Sequence, residues 1–143
     1  MARTVIDLPD TFQYETYLDI YIGHINIASH LGNDSLVSLL NEARCQFLND
    51  LGAINMEVCG AQMINADLAV ILKSEAKYGE RLRIEIQAAE FQKYGCDFIY
   101  RVTEASSERV VAIAKTTMLC FDYVSNQLST APNGFAEFFQ QTA

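Results

Sequence analysis

The stretch HINIASHLGNDSLVSLLNEARCQFLNDLG, residues 24–52, decides the fold, because a polar loop leads there into one long amphipathic helix. Asn33 or Asp34 can cap this helix, since their side-chain oxygens can accept hydrogen bonds from the free N–H groups of the first turn. Gly52 ends the helix. Apolar residues recur along it at three- and four-residue spacing, as expected for a helix with one buried face: Leu36, Leu39, Leu40, Ala43, Phe47, Leu48 and Leu51.

The sequence on both sides of this helix predicts a β-sheet that packs against it. β-Branched and aromatic residues, partly alternating with polar ones, predict strands at residues 11–21, 60–74, 81–90, 96–104 and 109–123. The last three strands follow at hairpin spacing and predict an antiparallel meander, and residues 132–141 can form a short C-terminal helix. We therefore predict one α+β domain, residues 1–143, with a long helix wrapped by a curved antiparallel sheet of about five strands.

The composition argues against a nucleic-acid partner and a membrane protein. A net charge of −8 would have to overcome repulsion from phosphates. No apolar run approaches the length of a bilayer span, and the N-terminus lacks the basic start and apolar region of a signal peptide, so we expect a cytoplasmic protein. The four cysteines form no CxxC pair, and no histidine stands at zinc-finger spacing, which predicts buried, reduced thiols and no metal site.

The basic residues are unevenly distributed along this acidic chain. Eight of the ten fall between residues 73 and 115, and four of these lie within residues 73–83: Lys73, Lys77, Arg81 and Arg83. One interpretation is that they discourage pairing at strand edges. The other is a local patch that binds a phosphorylated small molecule.

The run HLGNDSLVSLLNEAR, His30–Arg44, followed by Phe47 and Leu51–Gly52, resembles the 4-hydroxybenzoyl-CoA thioesterase-like branch of the hot-dog-fold acyl-CoA thioesterases. The resemblance implies a hot-dog fold and hydrolysis of an acyl-CoA thioester, with coenzyme A as part of the substrate and no separate cofactor. It also implies a homodimer or homotetramer with sites between subunits. Members of this branch usually carry a loop carboxylate four or six residues before the histidine, where this sequence has Asn26 and His24.

The resemblance places the thioester carbonyl at the N-terminal end of the helix. The backbone N–H groups around Leu31, Gly32 and Asn33 are therefore the candidate oxyanion hole. His30 is the candidate donor that positions the substrate. Asn26 can orient the water or the carbonyl, but its amide cannot act as a base.

Hydrolysis also needs a base, and three residues are candidates. The near-neutral titration of a histidine suits His24 for acid–base chemistry, Asp34 lies beside the start of the helix, and Glu42 shares a helix face with Ser35. The resemblance further makes the basic residues of 73–83 candidates for binding the nucleotide phosphates of coenzyme A. Each of the loop and helix candidates can instead have a purely structural role. His24 and His30 can form hydrogen bonds within the loop, and Asn26 can occupy a turn. Asp34 can cap the helix, and Glu42 can be a solvent-exposed residue without a function.

Two other functions are compatible with the sequence. The absence of the loop carboxylate favours a non-catalytic protein that binds acyl thioesters. The loop also has a faint similarity to the signature of hot-dog enoyl-thioester hydratases and dehydratases, although it lacks their aspartate and proline. Nothing in the sequence indicates which acyl group is bound.

Overall fold

The computed structural model describes residues 3–53 and 55–141, and it contains the long helix and the five long strands that the sequence predicts. The elements are β1 (Tyr14–Asp19), α1 (Asn33–Asp50), β2 (Gln62–Leu72), β3 (Arg81–Gln92), β4 (Gly95–Glu104), β5 (Val110–Asp122), β6 (Gln127–Leu128) and α2 (Phe135–Phe138). The two-residue strand β6 was not predicted. The C-terminal helix has four residues, fewer than the predicted range of 132–141. Among the described residues, no helix is long and apolar enough to span a membrane.

The strands form one antiparallel sheet in the order β1-β3-β4-β5-β2, and β6 pairs with β5. α1 packs on this sheet through its apolar stripe, whose members Leu36, Leu39, Leu40, Ala43, Phe47 and Leu48 are all buried. Phe47 of α1 meets Phe98 of β4 edge-to-face, with ring centroids 5.5 Å apart. The predicted arrangement of a helix on an antiparallel sheet is therefore confirmed.

The start of α1 differs from the prediction. The N-cap residue is Gly32, in an extended conformation, and no side chain caps the helix, so the prediction of a cap at Asn33 or Asp34 is wrong. The Asp34 carboxylate folds back beside Gly32, since a Cβ atom on residue 32 would stand 2.6 Å from Oδ1 of Asp34. The predicted end is confirmed, since Gly52 follows the helix with a φ of +94°.

All four cysteines are free thiols, as predicted, but only two are buried. Cys96 and Cys120 lie in the core, whereas Cys45 and Cys59 are exposed. Burial raises the pKa of both core thiols. These two cysteines therefore act as small apolar residues that pack in the core.

Candidate active site

A cleft of about 330 Å³ lies where the loop before α1 meets the end of β2. Two backbone hydrogen bonds assemble it. The Leu31 N–H donates to the Ala76 carbonyl at 2.8 Å, and the Lys73 N–H donates to the Val111 carbonyl at 2.8 Å. The lining residues come from three segments of the chain: His30, Leu31, Gly32, Asn33 and Leu36, then Leu72, Lys73, Ser74, Glu75 and Ala76, then Val111.

Asn26 shapes the loop that carries this site. Its side-chain Oδ1 accepts hydrogen bonds from the N–H groups of Ala28, at 3.0 Å, and His30, at 3.4 Å. Its backbone N–H donates to the His30 carbonyl at 2.9 Å. The side chain is exposed and is not part of the cleft wall. The structure therefore gives Asn26 the role of a turn residue that places His30.

His30 is the histidine that lines the cleft. Its Nδ1 lies 3.2 Å from the Leu31 carbonyl oxygen. Because a carbonyl oxygen can only accept, Nδ1 carries the proton of the neutral ring and Nε2 carries the lone pair. Nε2 lies 3.7 Å from Oε1 of Glu75. The imidazole is thus oriented by the backbone, with its basic nitrogen on the side of Glu75.

His24 lies outside the cleft wall, on a 3₁₀ turn at Ile22–His24. Its Nδ1 accepts a hydrogen bond from the Tyr21 N–H at 2.9 Å, and the two rings lie 5.7 Å apart. These contacts fix the turn after β1. The structure therefore gives His24 a local structural role and does not bring it to the cleft as a base.

Two of the three amides predicted for the oxyanion hole already have acceptors. The Leu31 N–H donates to the Ala76 carbonyl at 2.8 Å, and the Gly32 N–H donates to the His24 carbonyl at 3.0 Å. Both bonds hold the loop against its neighbours. Neither amide is therefore free to bind a substrate oxygen in this structure.

The N–H groups that have no acceptor belong to the residues that follow Gly32 in the chain. The first N–H of α1 that bonds within the helix is that of Leu36, which donates to the Gly32 carbonyl at 2.9 Å. In the described part of the chain, the N–H groups of residues 33–35 have no acceptor, as expected for an uncapped first turn. Among residues 33–35, Asn33 is the one that lines the cleft, so its N–H at the positive end of the helix dipole is a better candidate oxyanion donor than the amides of Leu31 and Gly32.

Asp34 and Glu42 do not line the cleft. Asp34 is exposed in the first turn of α1, with its carboxylate folded back beside Gly32. Glu42 is exposed on the outer face of α1, where its Oε2 accepts a hydrogen bond from the Gln46 side chain at 2.8 Å. Helical spacing placed Glu42 correctly on the polar face, but that face does not contribute to this cleft.

The two predicted arginines of residues 73–83 are paired along β1 and β3. Nε of Arg83 lies 2.6 Å from Oε2 of Glu15, and Nη2 lies 3.4 Å from Oε2 of Glu85. The hydrogen bond that Arg83 donates to Glu15 raises the pKa of Arg83. Nε of Arg81 lies 3.9 Å from Oδ1 of Asp19. Both guanidinium groups are thus close to carboxylates of their own chain.

The two predicted lysines of residues 73–83 lie nearer to the site. Lys73 follows β2 directly and lines the cleft, and Lys77 is exposed on the loop that continues from it. Of the four residues predicted to bind the phosphates of coenzyme A, Lys73 is the one that lines this cleft.

Arg44, the last residue of the Glu-Ala-Arg run, lies inside the fold. Its Nη1 is buried and has no hydrogen-bond partner within residues 3–53 and 55–141. Burial raises the pKa of the nearby Tyr100 hydroxyl, and the Arg44 charge and the hydrogen bond with Thr116 counteract this rise. The Tyr100 and Thr116 hydroxyl oxygens lie 2.8 Å apart. This arginine thus lies beside a polar pair in the core and not at the cleft.

Comparison with known proteins assigns the family. The family model described as the thioesterase-like superfamily matches residues 20–139. The chain belongs to the thioesterase-like superfamily. The predicted membership of the hot-dog thioesterases, and with it the class of thioester hydrolases, is confirmed. No curated protein sequence is significantly similar to this chain.

Solved structures of thioesterase-like proteins share the fold at low sequence identity. A 1,4-dihydroxy-2-naphthoyl-CoA thioesterase from Synechocystis has a TM-score of 0.80 and 14% identity, covering 90% of this chain and 96% of the other. The probable thioesterase YbaW from Escherichia coli has a TM-score of 0.72 and 17% identity, covering 90% and 97%. A hypothetical protein from Thermus thermophilus has a TM-score of 0.77 and 18% identity, covering 90% and 98%. The predicted hot-dog fold is confirmed.

Within this thioesterase-like fold, Glu75 is the charged residue of the cleft wall that the sequence did not predict. It lies on the loop after β2, and its backbone carbonyl accepts a hydrogen bond from Nη2 of Arg109 at 3.0 Å. The signal that could have found it is the polar run Lys73–Glu75 immediately after an apolar strand, where side chains leave the sheet. Among the described residues, no group of three or more His, Cys, Asp or Glu side chains could hold a metal.

Proposed function

We propose that this protein hydrolyses acyl-CoA thioesters in the cleft at the N-terminal end of α1. The observation that carries the proposal is the meeting, in one cleft, of a histidine with an oriented Nε2 and the first turn of a helix with free N–H groups. The first supplies a base and the second binds a developing negative charge. Apolar side chains of Leu36, Leu72 and Val111 give the acyl group a place to bind.

The reaction follows from this geometry. The thioester carbonyl oxygen binds at the Asn33 N–H, a free amide of the first turn of α1 at the cleft wall. A water loses a proton to Nε2 of His30, and its oxygen attacks the carbonyl carbon while the C=O electron pair moves to the oxygen. The C–S bond then breaks, the imidazolium returns the proton to the sulfur, and the products are a carboxylic acid and coenzyme A. Each oxyanion donor typically contributes about 10²–10³-fold to the rate, and a general base about 10²–10⁴-fold.

A panel of short-chain, long-chain and aromatic acyl-CoAs tests the proposed function, with release of free thiol as the readout. We expect saturable hydrolysis of at least one class. Calorimetric binding of an acyl-CoA without thiol release would instead support the non-catalytic protein. Hydration of an enoyl-CoA without thiol release would support the hydratase alternative.

Lys73 is proposed to bind a phosphate of coenzyme A. Lys73→Ala should raise KM roughly 2- to 5-fold and leave kcat unchanged, because a half-exposed charge pair is worth little more than that. The effect should shrink as salt is added. Lys93→Ala, on the turn after β3, removes a lysine that does not line the cleft and is the matched control. Equal KM values for Lys73→Ala and the control would contradict this role.

The homodimer or homotetramer implied by the family is also part of the proposal. It is supported by β2, an edge strand of 11 residues none of which is buried within the single chain. Unpaired strand edges and half-exposed apolar side chains favour association. Light scattering on the purified protein measures the mass of the particle, and a mass of one chain at assay concentrations would contradict it.

A further inference from the structure

We propose that Glu75 stabilises the positive charge that His30 acquires when it deprotonates water. This proposal rests on the hydrolase function proposed above and names a positioning residue for it. Oε1 of Glu75 lies 3.7 Å from Nε2 of His30, and both residues line the cleft.

The orientation of the ring decides which nitrogen receives the proton. Nδ1 donates to the Leu31 carbonyl, so the proton from water is taken up by Nε2. Nε2 is the nitrogen that lies 3.7 Å from Oε1 of Glu75. The ion pair therefore exists only after proton transfer has begun. An interaction that gains strength along the reaction raises kcat and not only substrate affinity.

The backbone fixes the separation between the two side chains. Leu31 and Ala76, the residues that follow His30 and Glu75 respectively, are joined by an N–H···O=C bond of 2.8 Å. Arg109 holds the Glu75 carbonyl from the other side at 3.0 Å. Because the backbone is held in this way, the distance between the Glu75 carboxylate and the imidazole depends only on the side-chain torsions of the two residues.

Among the described residues of the cleft wall, Glu75 is the only one with a carboxylate that can stabilise a positive charge on His30. The titratable residues of that wall are His30, Lys73 and Glu75. Lys73 is a cation and opposes a positive imidazolium. The stabilising charge therefore has to come from Glu75. Because its side chain is 68% exposed, solvent screening keeps the effect modest.

Histidine NMR tests the pair without reference to activity, because the chain has only two histidines. In Glu75→Gln, the ring resonances of His30 should shift, because the carboxylate that lies 3.7 Å from its Nε2 is replaced by a neutral amide. His24, which bonds to Tyr21, should not move and is the internal control. Neutral His30 should also show the Nδ1-protonated tautomer. Unchanged His30 ring resonances would overturn the proposal.

Kinetics test the consequence of the pair. Glu75→Gln should lower kcat roughly 2- to 5-fold with KM unchanged, because the stabilising charge acts only once His30 has taken up the proton. Glu137→Gln, an exposed residue of α2, is the matched control. A fall in kcat without the NMR shift would overturn the action through His30. A wild-type protein that shows the NMR shift but hydrolyses no acyl-CoA would instead overturn the proposed function, and the catalytic role of Glu75 with it.

Discussion

His30→Ala should lower kcat/KM for acyl-CoA hydrolysis by roughly 10²–10⁴-fold, the usual contribution of a positioned general base. His30 presents Nε2 to the cleft, and neither Asp34 nor Glu42 lines the same wall to replace it. The loop should survive the change, because the Leu31 N–H still donates to the Ala76 carbonyl. Steady-state kinetics with an active acyl-CoA measure the loss, and the thermal midpoint checks folding.

His24→Ala is the matched control for this prediction. It removes the only other imidazole of the chain and the hydrogen bond from Tyr21, but His24 does not line the cleft. Its kcat/KM should stay within about twofold of the wild type, since no interaction with the reacting atoms is lost. A His30→Ala protein with near wild-type turnover, or a His24→Ala protein with the larger loss, would contradict the assignment of the base.

Gly95→Ala should destabilise the fold by about 3 kcal/mol or more, an unusually large value for one added methyl group. Gly95 is the first residue of β4 and pairs with Leu119 of β5. An added Cβ would stand 1.9 Å from the Met118 carbonyl oxygen and 3.1 Å from the Leu119 Cα. Both are backbone atoms of a central strand, so no side chain can move aside to relieve the clash. Urea denaturation followed by circular dichroism measures the change.

Gly23→Ala is the control for the glycine prediction, because a Cβ there meets no atom within 4 Å. Its unfolding free energy should stay within about 0.5 kcal/mol of the wild type. The pair separates a steric clash in the sheet from the general effect of replacing glycine. Equal urea midpoints for Gly95→Ala and the wild type would show that β4 and β5 can shift apart at this point.

The fold was predictable where apolar residues recur with a regular period over many positions of the sequence. α1 and the three strands of the meander carry such periods, and the structure confirms each of them to within a few residues at its ends. β6 has two residues and therefore no period to detect. α2 begins later than predicted because Gly134 stands before it with a φ of +84°, a conformation outside the helical region.

The candidate site was predictable only in part. His30 and Asn33 lie in the cleft wall where the family motif places them. A motif does not show where a loop side chain points, so the turn bonds of Asn26 could not be foreseen. Neither could the pairing of Arg83 with Glu15, since these two residues meet through strand register across 68 positions of sequence.

The order of strands also suggests how the cleft forms during folding. β3, β4 and β5 are joined by short turns, whereas β1 and β2 come from the N-terminal half and pair at opposite edges of the sheet, with α1 crossing between them. Closing these long loops costs more chain entropy than forming hairpins. We expect the meander to form first, so that the cleft, which needs both the loop after β1 and the end of β2, is completed late. Substitutions in its wall would then change the rate of unfolding more than the rate of folding.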